Sequence, residues 1–146
     1  MHRQGRPTDP NFASNERLFY RFEGHYTVGS VPRGLAVRSP DFSVNRENHG
    51  GIAEYVLIPD WPDWGIAEFE VGSIPPAKAS EGAVSYSWSL QHEPEEHNYF
   101  HCEITTLKAG VRCRKSSQVS ELVKKEFRQA LAERMIVVRE FRGDDL

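Results

Sequence analysis

The chain has 146 residues, 38% of them apolar, and a formal net charge of −3. That is one domain with an ordinary core; no apolar run approaches the roughly 18 residues of a membrane span. The start, MHRQGRPTDPNFASN, lacks the apolar core of a signal peptide, so a cytoplasmic location is the default expectation. The two cysteines, Cys102 and Cys113, do not form a C-x-x-C pair, and a reducing compartment would leave them as thiols.

Charge is uneven along the chain. Residues 41 to 103 carry twelve acids against two bases, and residues 108 to 142 carry ten bases against four acids. Such asymmetry can mark a phosphate-binding face, or two segments that lie together and compensate each other.

Residues 1–15, with two prolines and little apolar content, read as a flexible arm ahead of a single domain over 16–142; 143–146 form an acidic tail. LFYRF, Leu18 to Phe22, is the first strand expected, and Gly34 to Val37 could be a short one. DFSVNRENHGG, Asp41 to Gly51, begins extended and ends in a loop, with Asn45, Arg46 and His49 as its polar candidates. Residues Ile52 to Ile58 are too few for periodicity to separate helix from strand. PDWPDW follows as a loop, whose Trp61 and Trp64 either cover a core edge or form a contact surface for a protein partner.

Gly65 to Ile74 alternates as a strand until Pro75-Pro76, and PPAKASEGA reads as a linker. In Ser85 to Gln91, Tyr86, Trp88 and Leu90 share one face and the serines the other. A second strand over Phe100 to Leu107 would complete an antiparallel hairpin. A helix is expected from Ser117 to Arg134, its stripe formed by Val119, Leu122, Val123, Phe127, Ala130 and Leu131, with Ser116 or Ser117 as N-cap and Lys124, Lys125 and Arg128 toward solvent. Met135 to Phe141 closes as a strand.

The fold expected is α+β: a mainly antiparallel sheet of about five or six strands, packed on one face by the C-terminal amphipathic helix. Parity turns Tyr20, Phe69, Trp88 and Cys102 toward the helix. It turns Arg21, Glu68, Glu70, Ser87, Ser89, His101 and Glu103 to the other face, which is either solvated or the floor of a groove.

Chemistry concentrates in Ser85 to Ile104, which holds His92, His97 and His101, three of the six histidines. His101 and Glu103 are two apart on a strand and share a face, where the carboxylate could orient the imidazole. With His92 as a second acid/base group and Arg46 as a phosphate contact, they would form the site of a metal-independent ribonuclease-type hydrolase. His92 continues the Trp88 face and needs a bulge to reach His101. His92, His97, His101, Cys102 and Glu103 are zinc-type ligands, but they lack the paired spacing of a zinc finger and no H-E-x-x-H occurs; no metal or cofactor is assigned. Cys102 is expected to pack rather than react.

The order of Arg21 in LFYRF, Ser43 in DFSV, and Glu68 and Glu70 in EFE resembles that of the Arg-Ser-Glu type of ADP-ribosyltransferase. The resemblance implies an arginine and a serine on early strands with a catalytic glutamate later, drawn from Glu68, Glu70 or Glu103. The Ser-Thr-Ser run of that family is absent. Three functions therefore stand as expectations: a protein that cleaves or binds nucleic acid, a non-catalytic protein-interaction module or accessory subunit, and an ADP-ribosyltransferase-like enzyme.

Overall fold

A computed structural model describes residues 6–23, 27–28, 31–32, 41–74, 78–81 and 84–143. The strands are β1 (Arg17–Phe22), β2 (Thr27–Val28), β3 (Val31–Pro32), β4 (Asp41–Arg46), β5 (Gly65–Glu70), β6 (Lys78–Glu81), β7 (Val84–His92), β8 (His101–Lys108), β9 (Val111–Arg112) and β10 (Ile136–Arg139), with one α-helix, α1 (Glu121–Ala132), before the last of them. The main sheet runs β10-β5-β1-β4-β8-β7-β6, with β9 against β8; β2 and β3 pair separately. Each of its pairings is antiparallel. The protein is thus α+β, a mainly antiparallel sheet with a C-terminal helix. No helix among the described residues is long and apolar enough to cross a membrane.

Strand alternation decides what each face carries. Leu18, Tyr20 and Phe22 of β1, Phe42 and Val44 of β4, Ala67 and Phe69 of β5, and Cys102 and Ile104 of β8 form one buried cluster with Phe127, Leu131 and Ala132 of α1. Trp88 of β7 joins it by stacking on Phe127, centroids 4.9 Å apart. Removing this apolar surface from water is the main force that holds helix to sheet.

The helix begins later than its composition suggests. Ser116–Gln118 form a 3-10 turn, and the N-cap is Ser120, whose hydroxyl accepts the N–H of Val123 at 3.2 Å. Lys124, expected in solvent, is buried: its ammonium donates to Ser116 Oγ at 2.7 Å and pairs with Glu121. Leu122, expected on the buried stripe, is exposed instead. The buried stripe of the helix consists of Val123, Lys124, Phe127, Leu131 and Ala132. The segment expected as a linker after Pro76 contains β6, which pairs with β7; the short strand expected over 34–37 lies outside the described residues.

The second face is not left bare. Residues Ala53–Leu57 form a 3-10 turn that lowers Val56 and Leu57 onto Phe19 and Ile66, and Trp64 packs against the same small core. Trp61 lies 6.0 Å from Trp64, with the Arg21 guanidinium 3.6 Å from its ring. The tryptophan loop therefore covers a core edge.

Residues 6–15, expected to be flexible, are docked where described. Tyr99 donates its hydroxyl to the Pro7 carbonyl at 2.7 Å, and Phe12 packs against the main core. Residue 143 of the expected acidic tail is described; 144–146 are not.

Candidate functional site

The register separates the four residues expected to share a site. His92 pairs with Cys102 across the β7–β8 hairpin, and Leu18 pairs with Arg46 across β1–β4, so His92 and Arg46 belong to the helix-side face. His101 and Glu103 flank Cys102 and point the other way, opposite Asn45 and Ser43 of β4. The shared constellation is corrected to two pairs on opposite faces, because no bulge turns His92 round.

On the helix-side face, Arg46 is 0% exposed. Its guanidinium makes a bidentate pair with Glu16, Nε to Oε2 at 3.0 Å and Nη2 to Oε1 at 2.9 Å. Two further donors go to the carbonyls of Asp9 at 2.7 Å and Asn11 at 2.9 Å, with Phe12 against the guanidinium at 4.1 Å. A fork with four of its five N–H groups engaged in this way serves as a buried clasp for residues 9–16. The backbone folds close around it: a Cβ on Gly51 would stand 2.1 Å from the Arg46 carbonyl oxygen, so only glycine fits there.

His92 completes the clasp. Its Nδ1 accepts the backbone N–H of Asp9 at 2.9 Å, which requires the ring proton on Nε2, and Nε2 donates to the Tyr99 carbonyl at 2.7 Å. Burial, followed by the charges of Arg46 and His49, pushes the His92 pKa down against the help of the Tyr99 carbonyl. His92 is a neutral structural imidazole.

On the other face, His101 Nδ1 lies 2.7 Å from the Glu93 carbonyl and Nε2 lies 3.0 Å from Glu103 Oε1. Two acceptors call for two ring protons. Burial opposes the imidazolium, but the hydrogen bonds to Glu103 and Glu93 and the charge of Glu95 outweigh it, and the pKa is raised. Burial likewise opposes the Glu103 carboxylate, and the hydrogen bonds from His101 and from Ser43, whose hydroxyl donates at 2.6 Å, hold its pKa down. The carboxylate stands between Ser43 and His101, so the order differs from that of a serine nucleophile activated by a histidine. Beside them Asn45 accepts from Asn98 at 2.7 Å.

The remaining candidates are dispersed. Among the described residues, no group of three or more His, Cys, Asp or Glu is arranged to hold a metal ion. His97 is 86% exposed at the hairpin turn. Burial pushes the Cys102 thiol up to about 12, which makes it inert as a nucleophile. Arg21, Ser43, Glu68 and Glu103 share a face, but each is engaged locally: Arg21 under Trp61 and with the Val56 carbonyl, Ser43 with Glu103, and Glu68 with Arg17.

The surface that sequence reasoning missed is the outer side of the 3-10 turn. Ile52, Tyr55 and Ile58 are 48%, 37% and 59% exposed. Ile52 and Ile58 are the extended caps of this turn, and the N–H groups of Tyr55 and Ile58 donate to the carbonyls of Ile52 and Tyr55, so the three exposed residues follow one another a turn apart as a ridge. The signal was present as a spacing of three, but a helix of this type is too short to announce itself. The ridge stands between two grooves, one of about 350 Å³ beside Ile52 and one of about 300 Å³ beside Tyr55 and Ile58. Comparison of the chain with protein families, with curated proteins and with solved structures finds no match in any of the three.

Proposed function

We propose that this protein is a non-catalytic protein-binding module, an accessory subunit that meets its partner through the ridge of Ile52, Tyr55 and Ile58. The observation that carries this reading is the ridge itself: three large, mainly apolar side chains exposed within seven residues, beside grooves with charged lining residues, the composition of a recognition surface. The engagement of both ring nitrogens of His92 and of His101 supports it, since neither imidazole exchanges a proton without first losing a partner. Nucleic-acid cleavage, the runner-up, would need His101 to leave Glu103 or Glu93, and Arg46 to leave Glu16. The basic C-terminal segment also offers less than its count suggests, because Lys124 and Arg112 pair with Glu121 and Glu93. Two buried free cysteines are in keeping with a reducing compartment such as the cytoplasm.

The test is photo-crosslinking inside the cell that makes the protein, from a benzophenone amino acid placed at position 55. A discrete protein adduct that disappears on adding Ile52→Asp, with the melting temperature unchanged, is the expected result. An adduct indifferent to Ile52→Asp, or none, overturns the reading.

A further inference from the structure

The geometry points to the groove beside the ridge as a receptor for an aromatic side chain next to a single carboxylate, presented by an extended segment of the partner. This rests on the protein-binding reading and adds the partner's chemistry. Tyr55 and Phe100 form one wall as stacked rings, centroids 5.5 Å apart and tilted by 22°. Ile58 and Tyr99 supply further apolar surface to a groove of about 300 Å³. A flat or aliphatic anchor fits such a slot better than a polar one, because aromatic walls favour offset stacking and the apolar area gains from leaving water.

Charge selects the rest. The groove's lining includes Arg6 and His97 and contains no carboxylate, although it is set in the acidic portion of the chain. The Arg6 guanidinium lies 3.7 Å from the Tyr99 ring centroid, and its hydrogen bond to the His49 carbonyl, at 3.3 Å, uses a single nitrogen. A guanidinium held flat on a ring keeps its edge for a carboxylate. Two of the directional side chains nearby are engaged: Asn98 donates to Asn45 and accepts from the Phe100 N–H, and Tyr99 donates to Pro7. The stacked wall and the Arg6 edge therefore favour a flat apolar group beside one negative charge.

The probes are the acetylated, amidated tetrapeptide Gly-Phe-Asp-Gly, its Asn counterpart and a short oligothymidylate, each titrated into the full chain and followed by amide NMR. The Asp peptide is expected to shift the amides of Tyr55, Ile58 and 97–100 saturably, and the Asn peptide to bind about tenfold more weakly, the size of one charge-assisted hydrogen bond. Arg6→Gln should bring the Asp peptide down to the level of the Asn peptide. Arg6→Lys, which keeps the charge and loses the planar stack, should fall between them and guards against a folding defect. Equal binding of the two peptides, shifts elsewhere, no saturable shift, or stronger displacement of the same amides by oligothymidylate would each overturn the inference. A crosslink lost in Ile52→Asp but kept in Arg6→Gln would defeat the groove while leaving the ridge reading intact. Charge-dependent peptide binding with a crosslink indifferent to Ile52→Asp would do the reverse.

Discussion

His92 and His101 stand on the two strands of one hairpin, on opposite faces, and their pKa values are displaced in opposite directions. His92 meets one donor and one acceptor, which suits the neutral ring; His101 meets two acceptors, which favours the imidazolium and raises its pKa. Their contributions to stability consequently have opposite pH dependence. The raised pKa of His101 gives stability that is fully present below the ordinary value of 6.5 and is lost as pH rises through the folded value. The lowered pKa of His92 gives stability present above 6.5 and lost as pH falls through its folded value. The two should partly cancel in the wild-type protein. His101→Gln should leave a protein that gains stability as pH rises toward neutrality, and His92→Gln one that loses it above pH 6.5, read from urea midpoints across pH. Parallel slopes in the two variants would contradict the opposite displacements.

The His101–Glu103 pair also separates structure from catalysis. Breaking a pair this buried leaves an uncompensated charge, so His101→Ala should cost about 3 kcal/mol, measured by urea unfolding. On the binding reading, the wild-type protein and this variant cleave RNA no faster than a mock preparation. Wild-type cleavage lost in His101→Ala without a fall in stability would restore the nuclease reading.

The Arg46 clasp makes a sharper energetic prediction. Arg46→Met strands the Glu16 carboxylate in the interior and should destabilise by roughly 3–5 kcal/mol, whereas adding Glu16→Leu should recover much of the loss. Amide exchange at residues 9–12 should quicken in the single variant, because the carbonyls of Asp9 and Asn11 lose their donors. Protection unchanged at those positions would mean the arm is held without Arg46.

Period-two alternation made the sheet legible. Tyr20, Phe69, Trp88 and Cys102 do face the helix, and His101 and Glu103 do face away, because a strand leaves each side chain only two directions. The same rule placed His92 with Cys102, and the structure supplies no bulge to move it. What the sequence concealed depends on partners distant along the chain. Nothing local in Pro7, Asp9 or Phe12 says that they meet Tyr99, His92 and Arg46. Nothing in Lys124 announces a carbonyl and hydroxyl of Ser116 waiting for its ammonium. The cap moved for a similar reason: several serines precede the helix, and tertiary packing of Val119 and Val123 against Tyr86 selects among them.

That selection is itself testable. Ser120→Ala should cost about 1 kcal/mol, the usual loss for an N-cap hydroxyl, while Ser117→Ala should stay within about 0.5 kcal/mol. Both are read from thermal or urea unfolding, and the reverse ranking would put the helix start back at residue 117.

The 3-10 turn carries the last prediction, because its two sides are assigned different work. Val56 and Leu57 face the small core with Phe19 and Ile66, so Leu57→Ala should destabilise by about 2–4 kcal/mol, through lost burial and a cavity. Ile58 stands in solvent, and Ile58→Ser should change stability by no more than about 0.5 kcal/mol. The same substitution should weaken the partner crosslink at position 55, since a ridge side chain contributes at the interface what it does not contribute to the fold. If Ile58→Ser unfolds the protein as Leu57→Ala does, position 58 belongs to the core and the ridge loses one of its three members.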